Sequence, residues 1–230
     1  MRTRRAVVAV VVTLLIGCTV AVAEPTLYGF TGLFTLPTAD TLTDGDYTVG
    51  INTSELEDWD RFSYYATFGL DEATEVGVTL FRADQGSSNV DVAGLRTGGS
   101  DETFLHIKRA LTLQDEDGPG IAAGIFDLTD EVETTVYVVA TWEQGQVVGQ
   151  VDNRDVRFLD LHAGFAAGMF EDFFVGANLR FGTDVQIMGE WIMDEINLGA
   201  RFSPTENITI DAGLLDVDDL AVNVSYTSNL

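Results

Sequence analysis

From residue 46 onward the chain alternates between apolar and polar positions in stretches of about nine to eleven residues, with the side-chain period of a β-strand. The C-terminal half shows it most cleanly. Phe173, Val175, Ala177, Leu179 and Phe181 share one face of a stretch whose other face carries Gly176, Asn178 and Arg180. Val185, Ile187 and Trp191 oppose Gln186 and Glu190. Ile196, Leu198, Ala200 and Phe202 oppose Asn197, Gly199 and Arg201. Ile208, Ile210, Ala212 and Leu214 oppose Thr209 and Asp211, and Leu220, Val222, Val224 and Tyr226 oppose Asn223 and Ser225. The first half predicts further strands at Asp46–Ser54, Arg61–Leu70, Glu75–Arg82, Thr103–Leu113, Pro119–Asp127, Glu133–Glu143 and Val156–Gly168. That makes about twelve. Ser87–Arg96 reads either as one more strand or as part of a long loop.

Strand content this high is unusual for an ordinary globular domain and normal for a closed barrel. Alternation alone fits a soluble sandwich equally well. Two features favour a transmembrane barrel. Aromatic residues of the apolar face sort into two levels, with Phe68, Trp142, Phe181, Phe202 and Tyr226 at one and Phe62, Phe173 and Trp191 at the other. Membrane–water interfaces select such girdles. The connections also sort by edge. Asp71–Thr74, Gln114–Gly118, Thr183–Asp184 and Ser203–Glu206 lie on a short-turn edge. Glu55–Asp60, Ala83–Glu102, Thr129–Val132, Met169–Asp172, Met193–Glu195 and Asp216–Asp219 lie on the other. Gln144–Asp155 is an exception on the short edge, and Arg109 is a misfit whose parity points it at lipid, as a bulge or a register shift would explain.

The expected fold is therefore all-β, a closed antiparallel transmembrane β-barrel of about twelve strands spanning 46–230. The opposite parity gives it a polar interior. Arg180, Glu190, Arg201 and Asp211 fall on four successive strands, joined by His106, Lys108, Asp160 and His162. Opposite charges on neighbouring strands are expected to pair across the lumen, each acid near an arginine. A filled, self-satisfied interior is expected over a conducting pore, since twelve strands lie between the filled eight-stranded and the open sixteen-stranded barrels.

Residues 1–23 carry a leader. Arg2, Arg4 and Arg5 precede an apolar run from Ala6, which ends in Ala21-Val22-Ala23. This is the grammar of a bacterial secretory signal peptide, with cleavage expected after Ala23. Leu15-Ile16-Gly17-Cys18 also resembles a lipobox, in which Cys18 would be acylated. Residues 24–45 are then expected as a periplasmic segment ahead of the barrel.

Charge narrows the function. The chain has 37 acidic and 12 basic residues, a formal charge of −25, and the leader removes three of the basic ones. Such a surface repels phosphate backbones and excludes nucleic acid as a partner. The acidity suits either a high-salt habitat or divalent-cation bridging at a glycan-covered surface. Two histidines and one cysteine leave little for a metal site and nothing for a disulfide scaffold. His162 with Asp160 lacks a Gly-x-Ser-x-Gly nucleophile motif, and no phosphate loop or CxxC pair occurs. Asp115-Glu116-Asp117 and Asp216-Val-Asp218-Asp219 match no complete calcium loop. The reading is of a non-enzymatic protein without a cofactor.

GFTGLFTLPTADTLTDGDYTVG (Gly29 to Gly50) resembles the opening of the YjbH-like outer-membrane proteins, associated with exopolysaccharide and capsule production. LDEATEVGV (Leu70 to Val78), Lys108, DGPGIAAGIFDL (Asp117 to Leu128) and MGEWIMDEINLGARFSPTENITIDAGLLD add looser likeness. Val139-Ala140-Thr141-Trp142 and the non-aromatic C-terminal Leu230 depart from that family's pattern. The resemblance implies an outer-membrane barrel, structural or accessory in surface polysaccharide export or display. The outer-membrane bilayer and surface polysaccharide or its export machinery are the implied partners. A small porin-like diffusion pore and a secreted glycan-binding β-sandwich are the alternatives.

Overall fold

A computed structural model describes residues 24–54, 61–83, 90–92, 95–97, 101–112, 118–131, 133–142, 147–151, 154–168, 172–182 and 184–230. The leader, with Ala23 and Cys18, lies outside them, as does Asp115–Asp117.

Fifteen strands follow in order: β1 (Asp46–Ser54), β2 (Arg61–Asp71), β3 (Thr74–Ala83), β4 (Val90–Val92), β5 (Leu95–Thr97), β6 (Glu102–Thr112), β7 (Gly120–Phe126) and β8 (Thr135–Trp142). They continue with β9 (Val147–Val151), β10 (Arg154–Ala167), β11 (Asp172–Phe181), β12 (Val185–Ile192), β13 (Glu195–Phe202), β14 (Ile208–Leu215) and β15 (Asp219–Asn229). Twelve of them form one antiparallel ring. It runs β1-β2-β3-β6-β7-β8-β10-β11-β12-β13-β14-β15 and closes where β1 pairs β15. Among the described residues closure leaves the twelve-stranded ring itself no free edge, which is the condition for a sheet to cross a bilayer. The sandwich alternative is thereby corrected: both β10–β11 and β1–β15 are hydrogen-bonded, so the sheet is not split in two.

The remaining strands settle two open points of the sequence. Val90–Val92 and Leu95–Thr97 make a small hairpin of their own within the long connection. Val147–Val151 pairs antiparallel with the start of β10, so much of the exceptional Gln144–Asp155 connection is strand.

The parity read from the sequence is the parity observed. Ile51, Leu80, Leu105, Val138, Leu161, Ile187, Leu198 and Val224 face outward and are exposed, whereas Asn52, Thr79, His106, Asn178, Asn197 and Asn223 face inward and are buried. An apolar exterior over a polar interior is the arrangement of an outer-membrane barrel, and it sets this one in the outer-membrane bilayer. The two aromatic levels are both on the exterior. Tyr47 meets Tyr226 near the end where β1 begins and β15 ends, and Phe173 meets Trp191 near the opposite end.

Near Arg109, β6 stays in register with β3 but shifts register against β7 between Ala110 and Thr112, the irregularity expected there. Arg109 keeps its outward parity and lies at the rim, where it donates to Thr74 Oγ1 (2.7 Å) and faces Asp71 (3.7 Å). On the other edge Met193 and Asp194 both have φ above +50°, a tight hairpin turn, and Asp216 and Val217 likewise turn through positive φ. The connections from β12 to β13 and from β14 to β15 are thus short at that end.

Candidate functional site

The largest departure from the sequence reading is the location of residues 24–42. Expected as a periplasmic segment, they lie inside the barrel. Every residue from Pro25 to Ala39 is buried, and Leu42 is 2% exposed. From Glu24 the chain folds back on itself within the barrel and leaves into β1. We call this segment the strap. The physical reason is capacity: twelve strands enclose more space than their own side chains fill, and the strap brings Leu27, Tyr28, Phe30, Leu33, Phe34 and Leu36 to fill it.

Local chemistry shapes the strap. Thr26 N–H donates to Phe30 C=O (2.8 Å) across a turn in which Gly29 has φ +91°. Leu33 N–H donates to Leu36 C=O (2.9 Å), and a Cβ on Gly32 would sit 2.1 Å from the Leu36 carbonyl oxygen. Gly29 and Gly32 are thus required by the fold of the strap itself. On the wall, inward glycines make room for its knobs. Cβ atoms built on Gly199 and Gly213 would meet the Phe34 ring at 3.0 and 2.7 Å, and one on Gly176 would meet Leu33 at 2.5 Å.

Tyr28 and Phe30 pack into an aromatic wall of Phe81, Phe104, Phe126, Tyr137 and Phe174 toward the end opposite the start of β1. Leu27, Leu33 and Phe34 meet Met188, Leu215 and Ala221 on the other side.

Charged wall residues then fasten the strap's backbone. Glu190 accepts Phe34 N–H (2.8 Å), Thr35 N–H (2.9 Å), Leu36 N–H (3.1 Å) and the Thr35 hydroxyl (2.6 Å). Glu75 accepts Thr31 N–H (2.9 Å), the Thr31 hydroxyl (2.5 Å) and Leu42 N–H (2.9 Å), and is paired with Lys108 at 3.1 Å. Lys108 also donates to Thr31 C=O (2.6 Å). Arg201 donates to the carbonyls of Pro25 (2.7 Å), Gly32 (3.1 Å) and Leu33 (3.0 Å), to Glu24 (3.0 Å) and to Asp211 (2.6 Å).

The expected lumen network is therefore only partly direct. Arg201 with Asp211 and Arg180 with Asp160 (3.6 Å) are cross-strand pairs, as parity required. Glu190, in contrast, is not held by an arginine. Among the described residues it faces no ion pair, and backbone amides satisfy it instead. Glu190 and Arg201 meet through the strap, which each grips within residues 32–36. Glu75, the partner of Lys108, was not singled out, because its position directly after the β2–β3 turn resembles an ordinary solvated rim acid.

His106 lies 3.3 Å from the Thr67 hydroxyl, edge-on to Phe30. His162 joins a polar chain. Ala39 N–H donates to Thr141 Oγ1 (2.8 Å), which lies 3.0 Å from His162 Nδ1, and His162 Nε2 lies 2.8 Å from Asn178 Oδ1. Asn178 in turn donates to Asp160 (2.9 Å). The Thr141 oxygen accepts the Ala39 N–H, so its own hydroxyl hydrogen is free to be donated to Nδ1, an arrangement that fits an imidazole whose Nε2–H donates to Asn178 Oδ1. These contacts make His162 and Asp160 positioning groups for the strap. Among the described residues no group of three His, Cys, Asp or Glu side chains is arranged to hold a metal ion.

No protein-family profile and no curated protein sequence matches the chain. Solved structures similar to it include the KdgM porin, at 8% identity, covering 80% of this chain and 99% of that one with a TM-score of 0.47. A mutant porin of Rhodopseudomonas blastica is similar at 12% identity, with 74% of this chain, 56% of that one and a TM-score of 0.34. The low-pH structure of Pseudomonas putida OprB is similar at 15% identity, with 80%, 91% and a TM-score of 0.31.

Proposed function

We propose that this protein is an outer-membrane barrel closed by its own N-terminal strap, and that it serves surface polysaccharide export or display as a structural or accessory component. The occupied lumen carries the reading. A permanently open diffusion pore needs a water-filled passage, whereas here fifteen consecutive buried residues occupy the interior and bond Glu75, Glu190, Lys108 and Arg201. The likeness of Gly29–Gly50 to the YjbH-like proteins supports the polysaccharide role, and that stretch supplies most of the strap.

Two measurements test the two halves. Purified full-length protein in a planar bilayer is expected to show no steady conductance; stable open channels would favour the diffusion pore. A deletion strain is expected to lose or alter surface-bound polysaccharide, measured by carbohydrate assay of washed cells, with restoration by the intact gene. Unchanged polysaccharide would remove the export role while leaving the closed barrel standing.

A further inference from the structure

The strap's chemistry describes what this lumen is built to hold. Residues 25–39, PTLYGFTGLFTLPTA, contain no charged side chain. The charged wall residues therefore grip neutral groups. Glu75 and Glu190 each take a threonine hydroxyl together with backbone amide N–H groups. Lys108 and Arg201 take amide carbonyls. Thr67 and Thr79 donate to the carbonyls of Gly29 and Tyr28. Toward the end of the lumen opposite the start of β1, on β3 and β6 as well as on β7, β8 and β11, stands the aromatic wall of Phe81, Phe104, Phe126, Tyr137 and Phe174. Hydroxyls, amide N–H groups, amide carbonyls and flat apolar faces are the groups the strap offers, and they are also the groups of an N-acylated sugar chain.

We infer that, with the strap displaced, the lumen takes a neutral glycan rich in hydroxyl and N-acyl amide groups, for which the strap is the resident stand-in; this rests on the polysaccharide reading above and narrows its substrate class. Size agrees, because the strap passes into the lumen and back, so its departure frees two chain widths for one glycan. Charge sets the selectivity. On the described wall around the strap the carboxylates Glu75, Asp160, Glu190 and Asp211 outnumber the cations Lys108, Arg180 and Arg201. Glu24, itself acidic, leaves with the strap, and the wall keeps its own excess of carboxylate, so a polyuronate is repelled where a neutral chain is accepted.

The test displaces the strap without touching the wall. Gly32→Val in the full-length chain places a side chain against the Leu36 carbonyl, where a Cβ already lies at 2.1 Å. Phe34→Asp is the second variant, putting a carboxylate beside Glu190. Both are refolded, checked for heat-modifiable migration and reconstituted in planar bilayers. At least one is expected to conduct, and a chitin oligomer is expected to block its current at a roughly tenfold lower concentration than an oligogalacturonate of equal length. Replacing Glu190 by Gln in the conducting variant is expected to weaken that block. Equal or stronger block by the uronate overturns the inference, as does an open channel that the chitin oligomer leaves unaffected. Two folded variants that stay closed also overturn it, since the strap would then be a permanent core. The polysaccharide phenotype of the deletion strain is read separately, so loss of that reading is distinguishable from loss of this one.

Discussion

Glu190→Ala tests how the strap is held. In the native lumen this carboxylate is 4% exposed and is the acceptor for three consecutive backbone amides, Phe34, Thr35 and Leu36, and for the Thr35 hydroxyl. Truncation leaves four buried donors without that acceptor. A buried donor left unpaired costs about 1–3 kcal/mol, so the gross loss exceeds what one charge pair supplies. Two effects reduce it. The desolvation cost of the carboxylate, carried without a facing cation, disappears with it, and the vacated space admits water to some of the amides. A net loss of about 3–5 kcal/mol follows. Urea unfolding of the barrel refolded into vesicles, followed by tryptophan fluorescence from Trp142 and Trp191, measures it. Limited proteolysis should cut the variant first within residues 24–42. Glu190→Gln keeps the volume but turns an NH2 group toward amide donors, so it should lose stability in the same direction by a smaller amount. Stability of Glu190→Ala within about 0.5 kcal/mol of the wild type, the range of a neutral surface change, would refute the reasoning.

The same logic yields further expectations. Lys108→Met and Glu75→Gln should each destabilise by about 3–5 kcal/mol, because each strands a buried partner, while the double variant loses less than the sum in a double-mutant cycle. Gly199→Val should loosen the strap, since a Cβ there already meets Phe34 at 3.0 Å; faster proteolysis of residues 24–42 with the barrel still heat-modifiable is the expected result. Leu198→Arg, on the exposed exterior, should cost about 2–4 kcal/mol in vesicles if it lies near the midplane and leave the lumen closed. Asn197→Arg, one residue away, should instead displace the strap, because Asn197 donates to Thr35 Oγ1 and accepts Asp216 N–H; conductance separates the two. Arg109→Ala should leave the unfolding midpoint unchanged, since the Arg109–Asp71 pair is exposed at the rim.

The barrel was legible in the sequence because strand periodicity is local. A period of two places Leu198 outside and Asn197 inside whatever the rest of the chain does, and a one-residue slip would send Arg180, Glu190, Arg201 and Asp211 to lipid together. That is why the parity, the aromatic levels and nearly every strand boundary were readable, down to Asp46–Ser54 and Val185–Ile192. The cross-strand pair Arg201–Asp211 follows from the same rule. The strap does not. Glu24–Leu42 has no period, and its partners are far along the chain: Glu190 binds residues more than 150 positions earlier, and Arg201 reaches back to Glu24. Its glycines and threonines read equally well as a loop in water. Only closure of the ring creates a space that its own side chains leave unfilled, lined with carboxylates and cations that need partners, and only then do an uncharged segment's amides, carbonyls and phenyl rings become the interior of the protein. The sequence by itself determined the wall and which side of it faces lipid; the tertiary structure decided what fills it, because filling is a property of the enclosed volume and not of any stretch of chain.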